Sequence, residues 1–432
     1  MFKNNKFNFS AVMLWFTYFC HGMQAIIISQ NTEYFADKWG ITTAAVLGVV
    51  AWVGIGKIIF LIFSGSLSDK IGRKPVVLAG LAGYVIMFAS LLIANNVLEA
   101  NILAFIGGAM TSLYDGSINP ALFEMYPENK STASVLSKAF ISTSSILYPL
   151  FVAFLATHKM APELAIVVPL VISTLVLIGV VLAPFPDREL QKAEGLSPAQ
   201  AVKELEKRQD TAKTVTEMKT QSSSKAKPKF AVDGVVLSLF ALTIYSNFYL
   251  FQQVSKIYAK DIIHMSESAA ASVTSLYQLG GLVATIVFSL IMARGIRDMA
   301  ILIISPIFAG LAGLAVYFVP TPTVLTLAGI VVGFCAAGGL LQMGNAVLNQ
   351  FFDTNKGRNT SIYYFVMALG SYIVPAAAGG LLKEVNGEFP NAPIILLIIA
   401  VTGFASSALM IYTGLRYKQI FGKSVFSNAN KD

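Results

Sequence analysis

The chain has 432 residues, of which 55% are hydrophobic and only 12% charged. A soluble globular protein carries about a quarter charged residues, so this composition excludes a water-facing exterior. The formal net charge of +8 would suit a nucleic-acid partner in a soluble protein, but here the basic residues sort by loop, and no nucleic acid is expected.

At the N-terminus, Lys3 and Lys6 precede an apolar run over 9–30. That run is too long for a signal-peptide core, and no small-residue cleavage site follows it. It is the first of twelve runs of roughly 20 residues, each long enough to cross a ~30 Å hydrocarbon core as a helix. The others lie at about 43–64, 76–94, 101–123, 133–156, 163–183, 231–252, 268–292, 299–319, 323–346, 360–382 and 391–413. A strand barrel would show shorter segments of alternating polarity. These runs do not alternate, which predicts an all-α membrane protein with 12 transmembrane helices. If both termini are cytoplasmic, the cytoplasmic segments hold 24 of the 31 Lys and Arg, and the outer loops hold Lys38, Lys159, Lys256, Lys260 and Lys383. That asymmetry is the positive-inside pattern. It predicts a multi-pass protein of the cytoplasmic (inner) membrane with both termini inside.

An ionisable group within a span is costly and is expected to face the interior. His21 is central in the first span, with Thr17, Gln24 and Ile28 on its face and Asn31 beyond. It suits proton transfer near neutral pH, or a plain hydrogen bond. Lys57 lies in the second span, about 12 Å before Gly65 at the helical rise. It can bind an anion or pair with an acid, or its stem can reach the interface.

Between the second and third spans stands Gly65-Ser66-Leu67-Ser68-Asp69-Lys70-Ile71-Gly72-Arg73-Lys74-Pro75. Gly65 permits close helix approach and Gly72 a tight turn. Asp69 can cap a helix of the other half, and Arg73 and Lys74 can hold the loop at the anionic leaflet. Asp115 follows in the fourth span, with Thr111, Ser112 and Asn119 on the same face. Facing Lys57 or Lys138, it would make a tunable acid–base pair. Lys138, about two turns into the fifth span, can serve the site or snorkel.

The longest polar stretch, Pro184 to Phe230, divides the spans six and six. Its Ser197-Pro198 step can start a short helix through Ala201, Val202 and Leu205. The Ser222-Ser223-Ser224-Lys225 tail reads as flexible. The loop is either a tether or an amphipathic helix on the inner leaflet. The expected organisation is therefore an N-terminal bundle over 1–183, a cytoplasmic linker over 184–230, a second bundle over 231–415 and a tail over 416–432.

The second half offers neutral polar groups. Tyr245, Tyr249 and Gln252 share a face of the seventh span, and Gln278 lies in the eighth. Gln342, Asn345 and Asn349 share a face of the tenth, and Tyr363 and Tyr364 open the eleventh. Such groups can line a solute cavity or join helices. The halves also repeat. Asn119/Asn345, Asn129/Asn355, Lys130/Lys356 and Pro149/Pro375 share an offset of 226 residues, as do Gly54 and Gly280. Six spans repeated in one orientation imply halves related by an axis along the membrane normal.

The Gly65–Lys74 segment resembles the loop signature of the major facilitator superfamily. The pieces His21-Gly22, Gln30-Asn31, Asp115-Gly116, Pro120-Ala121-Leu122, Gly338-Gly339-Leu340-Leu341-Gln342 and Ser361-Ile362-Tyr363 are similar to the YdiN/YdiM branch of bacterial inner-membrane transporters. The resemblance implies alternating access between two halves, with Gly65, Asp69, Gly72, Arg73 and Lys74 as the gating motif. Departures narrow the function. Ala104–Gly108 lacks the Arg of many proton-coupled members, and Ala139–Ser145 lacks the Gly-Pro element of drug antiporters. His21 stands near the point where aromatic-acid symporters place an acid.

No Walker segment is present, so ATP is not the expected fuel. The three histidines, 21, 158 and 264, are scattered, which argues against an enzyme. Cys20 and Cys335 lie in separate spans, and no disulfide, metal or cofactor is expected. Lys57, Lys138 and Asp115 lean toward proton symport of a small carboxylate, aromatic or hydroaromatic, by a monomer in the bilayer. Efflux of drugs, sugars or metabolites is the alternative.

Overall fold

The computed structural model describes residues 5–127, 130–214, 227–352, 356–386, 388–422 and 424–426. Among the described residues, eleven helices are long and apolar enough to cross a membrane. The first pass makes twelve. It runs Asn8–Gln24, breaks at Ala25 and Ile26, resumes over Ile27–Gln30, and turns at Asn31 into Thr32–Trp39. The break leaves a first segment of 17 residues, which is why it falls short of the length of the others.

The remaining passes of the first half are Thr43–Ile71, Arg73–Ile93, Val97–Met125, Lys130–Thr157 and Leu164–Leu182. Those of the second half are Val235–Ile257, Glu267–Ala293, Asp298–Phe318, a pass from Pro322 to Phe351, Lys356–Leu381 and Ala392–Phe421. The last helix runs past residue 415, the expected end of the second bundle, to Phe421. Thr42, Asn96, Ser266 and Thr321 cap helix N-termini with their side chains. Each accepts an N–H that the first turn leaves unpaired. Pro120, Pro149, Pro169, Pro306 and Pro375 sit inside helices, which neighbouring helices permit in a membrane.

Large apolar side chains such as Ile62, Phe63, Ile93, Leu175, Leu182, Phe318 and Leu415 point outward. Lipid is the solvent that accepts such a surface. Inside each half, close backbone approach does the packing. A Cβ on Gly56 would fall 2.0 Å from the Phe105 carbonyl, and one on Gly108 would fall 1.8 Å from that of Val53, so the second and fourth spans are nearly in backbone contact.

The second half repeats this contact. Gly280 meets the Ile330 carbonyl and Gly333 that of Tyr277. The structural partner of Gly280 is therefore Gly56, offset by 224, and not Gly54, which packs across the halves on Ser371. Gly108 and Gly333 are offset by 225, whereas Asn119 and Asn345 are offset by 226. One residue is gained between them, where the tenth pass loosens into a π-helical turn over Gly333–Ala337 and then breaks at Gly338 and Gly339. A π turn absorbs an inserted residue in this way. Asn129 and Asn355, also expected to repeat, lie outside the described residues.

The linker is more than a tether. Pro186–Glu194 and Pro198–Thr214 are helices. Ala201 and Val202 are buried, and the second of these helices packs on the second and fourth spans. It is thus held by protein, not laid on the leaflet by its apolar face. The Ser222–Lys225 tail lies outside the described residues.

Candidate functional site

Four spans of the first half bring their polar side chains to one place. The first contributes Tyr18, His21 and Gln24. The second contributes Lys57, the third Tyr84, and the fourth Thr111, Tyr114, Asp115 and Asn119. The fourth span can do this because 111, 115 and 119 lie one turn apart.

Tyr84 is the centre. Its hydroxyl lies 3.0 Å from His21 Nδ1, 2.7 Å from Thr111 Oγ1 and 3.2 Å from Gln24 Oε1, and it makes a short bond with the Tyr114 hydroxyl. Tyr114 meets the His21 ring edge-on at 5.7 Å. The Tyr18 side chain lies close to Asp115 and Asn119. Lys57 is close enough to act on Asp115, His21 and Lys138 through its charge. Tyr84, Tyr114, Gln24 and Thr111 are buried, while His21, Lys57, Asp115, Asn119 and Lys138 are half-buried. A hydrogen-bonded polar layer thus stands behind a row of half-buried ionisable groups. Among the described residues, neither Lys57 nor Lys138 has a carboxylate within ion-pair distance.

Of the expected residues, His21, Gln24, Lys57, Asp115, Asn119 and Lys138 come together. The tyrosines Tyr18, Tyr84 and Tyr114 were missed. Tyr18 and Tyr114 flank His21 and Asp115 in sequence, which was an available signal. Tyr84 is the lone polar ring in an apolar span and carried none.

The second half divides. Tyr245 accepts a hydrogen bond from Ser371 at 2.9 Å, its ring is 4.9 Å from that of Tyr249, and Tyr249 lies close to Gln253. Tyr364 comes near Asp115 from across the halves. Gln278 and Gln342 have no protein hydrogen bond among the described residues, and Gln342 is exposed. Asn349 instead ties Asn345 and Thr360 together at 3.0 Å each, and Tyr363, fully buried, donates to the Leu341 carbonyl at 2.8 Å. These last join helices.

The loop motif folds back on its own half. Gly72 has φ 95°, and its backbone packs against Asp187. Arg73, whose side chain is 2% exposed, donates to Glu124 at 2.9 Å, Asp69 at 2.6 Å and Ser68 at 3.1 Å. Its backbone N–H donates to Asp187 at 2.9 Å. Lys74 donates to the Val181 and Ala183 carbonyls at the end of the sixth span. Arg73 is therefore buried away from any headgroup, while Lys74 stays partly exposed. Both are consumed by carboxylates and helix-end carbonyls, which lack partners otherwise. Asp69 pairs within its own half, and Gly65 has no neighbour within 4 Å of where a Cβ would be.

A cavity of about 610 Å³ opens at the end of the bundle away from the termini, lined by Gln30, Glu33, Lys38, Lys256, Lys260 and Glu267 among others. It does not include the Lys57–Asp115 group.

The chain matches the Major Facilitator Superfamily over residues 14–255 and again over 235–424, two matches that overlap in the seventh span and together cover both halves. It is similar to the inner membrane transport protein YdiN of Escherichia coli, 27% identical over 97% of this chain and 92% of that one. A gallate transporter of Pseudomonas putida is 23% identical over 91% of this chain and 88% of its own. Among solved structures, a partially occluded inward-open conformation of the xylose transporter XylE from E. coli superposes with a TM-score of 0.71 at 14% identity, covering 94% and 97% of the two chains. The repeated bundle and the matched motif agree with these likenesses, and the chain belongs to the Major Facilitator Superfamily of membrane transport proteins.

Proposed function

We propose that the protein takes up a small organic anion with a proton by alternating access, with Lys57 and Asp115 as the coupled pair. The supporting observation is Lys57. It is a charged group in mid-span with no carboxylate in ion-pair contact, yet close to Asp115, His21 and a second lysine, Lys138. Two ammonium groups facing one carboxylate leave a positive excess, and an arriving carboxylate would neutralise it. Charge at membrane depth is tolerated only when so balanced. Protonating Asp115 as the anion enters offsets the anion's charge, so that the loaded and empty sites carry the same charge, which links the two cargoes. Tyr245 and Tyr249, stacked in the opposite half, supply a flat apolar wall of the kind that suits a ring. The likeness to a gallate transporter favours a ring carboxylate. By the positive-inside pattern the termini are cytoplasmic, in the inner membrane. We also take the protein to work as a monomer.

The test is uptake into proteoliposomes. Labelled hydroxybenzoate-type carboxylates should accumulate under an inward proton gradient and not without it, while xylose and nucleosides should not. Undiminished uptake by both Lys57→Ala and Asp115→Asn would overturn the assignment.

A further inference from the structure

The break in the first span frees backbone carbonyls, as any helix end does. The seventh span reaches across from the other half and takes up two of them. Gln253 Nε2 donates to the Ala25 carbonyl at 3.2 Å, and Lys256 Nζ to the Gln30 carbonyl at 2.7 Å. Lys260 then pairs with Glu33 beyond the second break. Positions 253, 256 and 260 share one helix face. From the eighth span, Glu267 holds both ammonium groups, Lys256 at 2.6 Å and Lys260 at 2.8 Å. Gln30 also reaches Thr274, and Ser275 reaches the Ile146 carbonyl. These cross-half contacts gather at the end away from the termini. At the other end Asp69, Arg73, Asp233 and Arg416 all pair within their own halves.

We propose that Gln253, Lys256 and Lys260 are a latch that shuts the distal mouth by capping the broken first span in trans, and that its release is the step that opens that mouth. The chemistry makes the latch reversible. The Lys256 side chain is only 8% exposed and needs a partner at all times. When the halves part it loses the Gln30 carbonyl but keeps Glu267, which moves with it. No buried charge is orphaned by opening. Asp261 and Glu384 act on the same group of charges, and Asp37, Lys38 and Glu163 line the adjoining cavity. The latch also fixes Ala25, which follows Gln24 directly and lies one turn beyond His21, so closure and the polar site are mechanically joined. The inference rests on alternating access and not on the identity of the solute.

Spin-label distances in the full-length protein in lipid nanodiscs, without solute, provide the test. Cys20 and Cys335 are replaced by Ala. Labels go at the exposed pair Lys159 and Lys383 on the distal end, and at the exposed pair Lys70 and Lys418 on the other. Lys260→Met and Glu33→Gln should each enlarge the distally open population by about two- to fivefold, the scale of a partly exposed ion pair. The distal distance should lengthen as the opposite one shortens. The double variant should go no further than Lys260→Met alone, because both remove one contact. Lys256→Met should shift the distances more, with folding checked by size-exclusion. Unchanged distances in Lys260→Met and Glu33→Gln, or shifts that add in the double variant, would overturn the latch. Shifted distances in a protein that takes up no carboxylate would instead support the latch and count against the solute reading.

Discussion

Arg73 makes a quantitative prediction possible, because its two carboxylate partners sit in different surroundings. Glu124, like Arg73, is 2% exposed, whereas Asp69 is 55% exposed. Glu124→Gln leaves a buried guanidinium facing a neutral amide. Losing one side of a buried pair costs about 3–5 kcal/mol. Asp69→Asn removes a partner that water already screens, worth roughly 0.2–1 kcal/mol. Heating the purified variants in one detergent and following the monodisperse fraction should lower the midpoint by roughly 5 °C or more for Glu124→Gln and by no more than about 2 °C for Asp69→Asn. The double change Arg73→Met with Glu124→Met should recover most of the loss, because an apolar pair leaves no charge to desolvate. Transport should separate from stability. Asp69, being 55% exposed, can meet the other half when the end of the bundle that carries the termini closes, so Asp69→Asn should slow uptake in a protein that remains well folded. Equal destabilisation by Asp69→Asn and Glu124→Gln would refute this reasoning, as would a double variant no more stable than Glu124→Gln.

Further outcomes follow from the polar site and its supports. Lys57→Met should abolish carboxylate uptake in proteoliposomes, whereas Asp115→Asn should keep solute exchange but lose accumulation driven by a proton gradient. Tyr84→Phe removes a hydroxyl with four polar neighbours at an unchanged ring volume. It should cost about 1–3 kcal/mol and raise the KM for the anion, measured by initial uptake rates. Gly108→Ala would place a methyl 1.8 Å from the Val53 carbonyl and 2.9 Å from the Lys57 backbone nitrogen. Prising the second and fourth spans apart should cost about 1–3 kcal/mol and displace Lys57, seen as a lower melting midpoint together with weakened uptake.

Much of this was legible before folding. Twelve apolar runs located twelve passes because a membrane-crossing helix needs only length and hydrophobicity, both local properties. The ionisable residues were legible for the same reason: His21, Lys57, Asp115 and Lys138 are conspicuous in membrane-spanning sequence. The break at Ala25 was not, since Ala-Ile-Ile-Ile is as helical as its neighbours by composition, and what stabilises the break is donors from a helix more than two hundred residues away. The same holds for Gly280. An equal numerical offset pointed to Gly54, but the offset is 224 at Gly56 and Gly280, 225 at Gly108 and Gly333 and 226 only beyond the π-helical turn, and backbone contact selects Gly56.

The linear chain by itself determined that this is a twelve-pass helical membrane protein with two alike halves and a short set of buried charges, because burial in lipid constrains each segment separately. Only the tertiary structure decided that Tyr84 gathers those charges' neighbours, that Arg73 is spent on Glu124 and not on lipid, and that the seventh span caps the first. Each of these depends on which helices touch, and contact between distant segments is set by their joint packing, not by either segment alone.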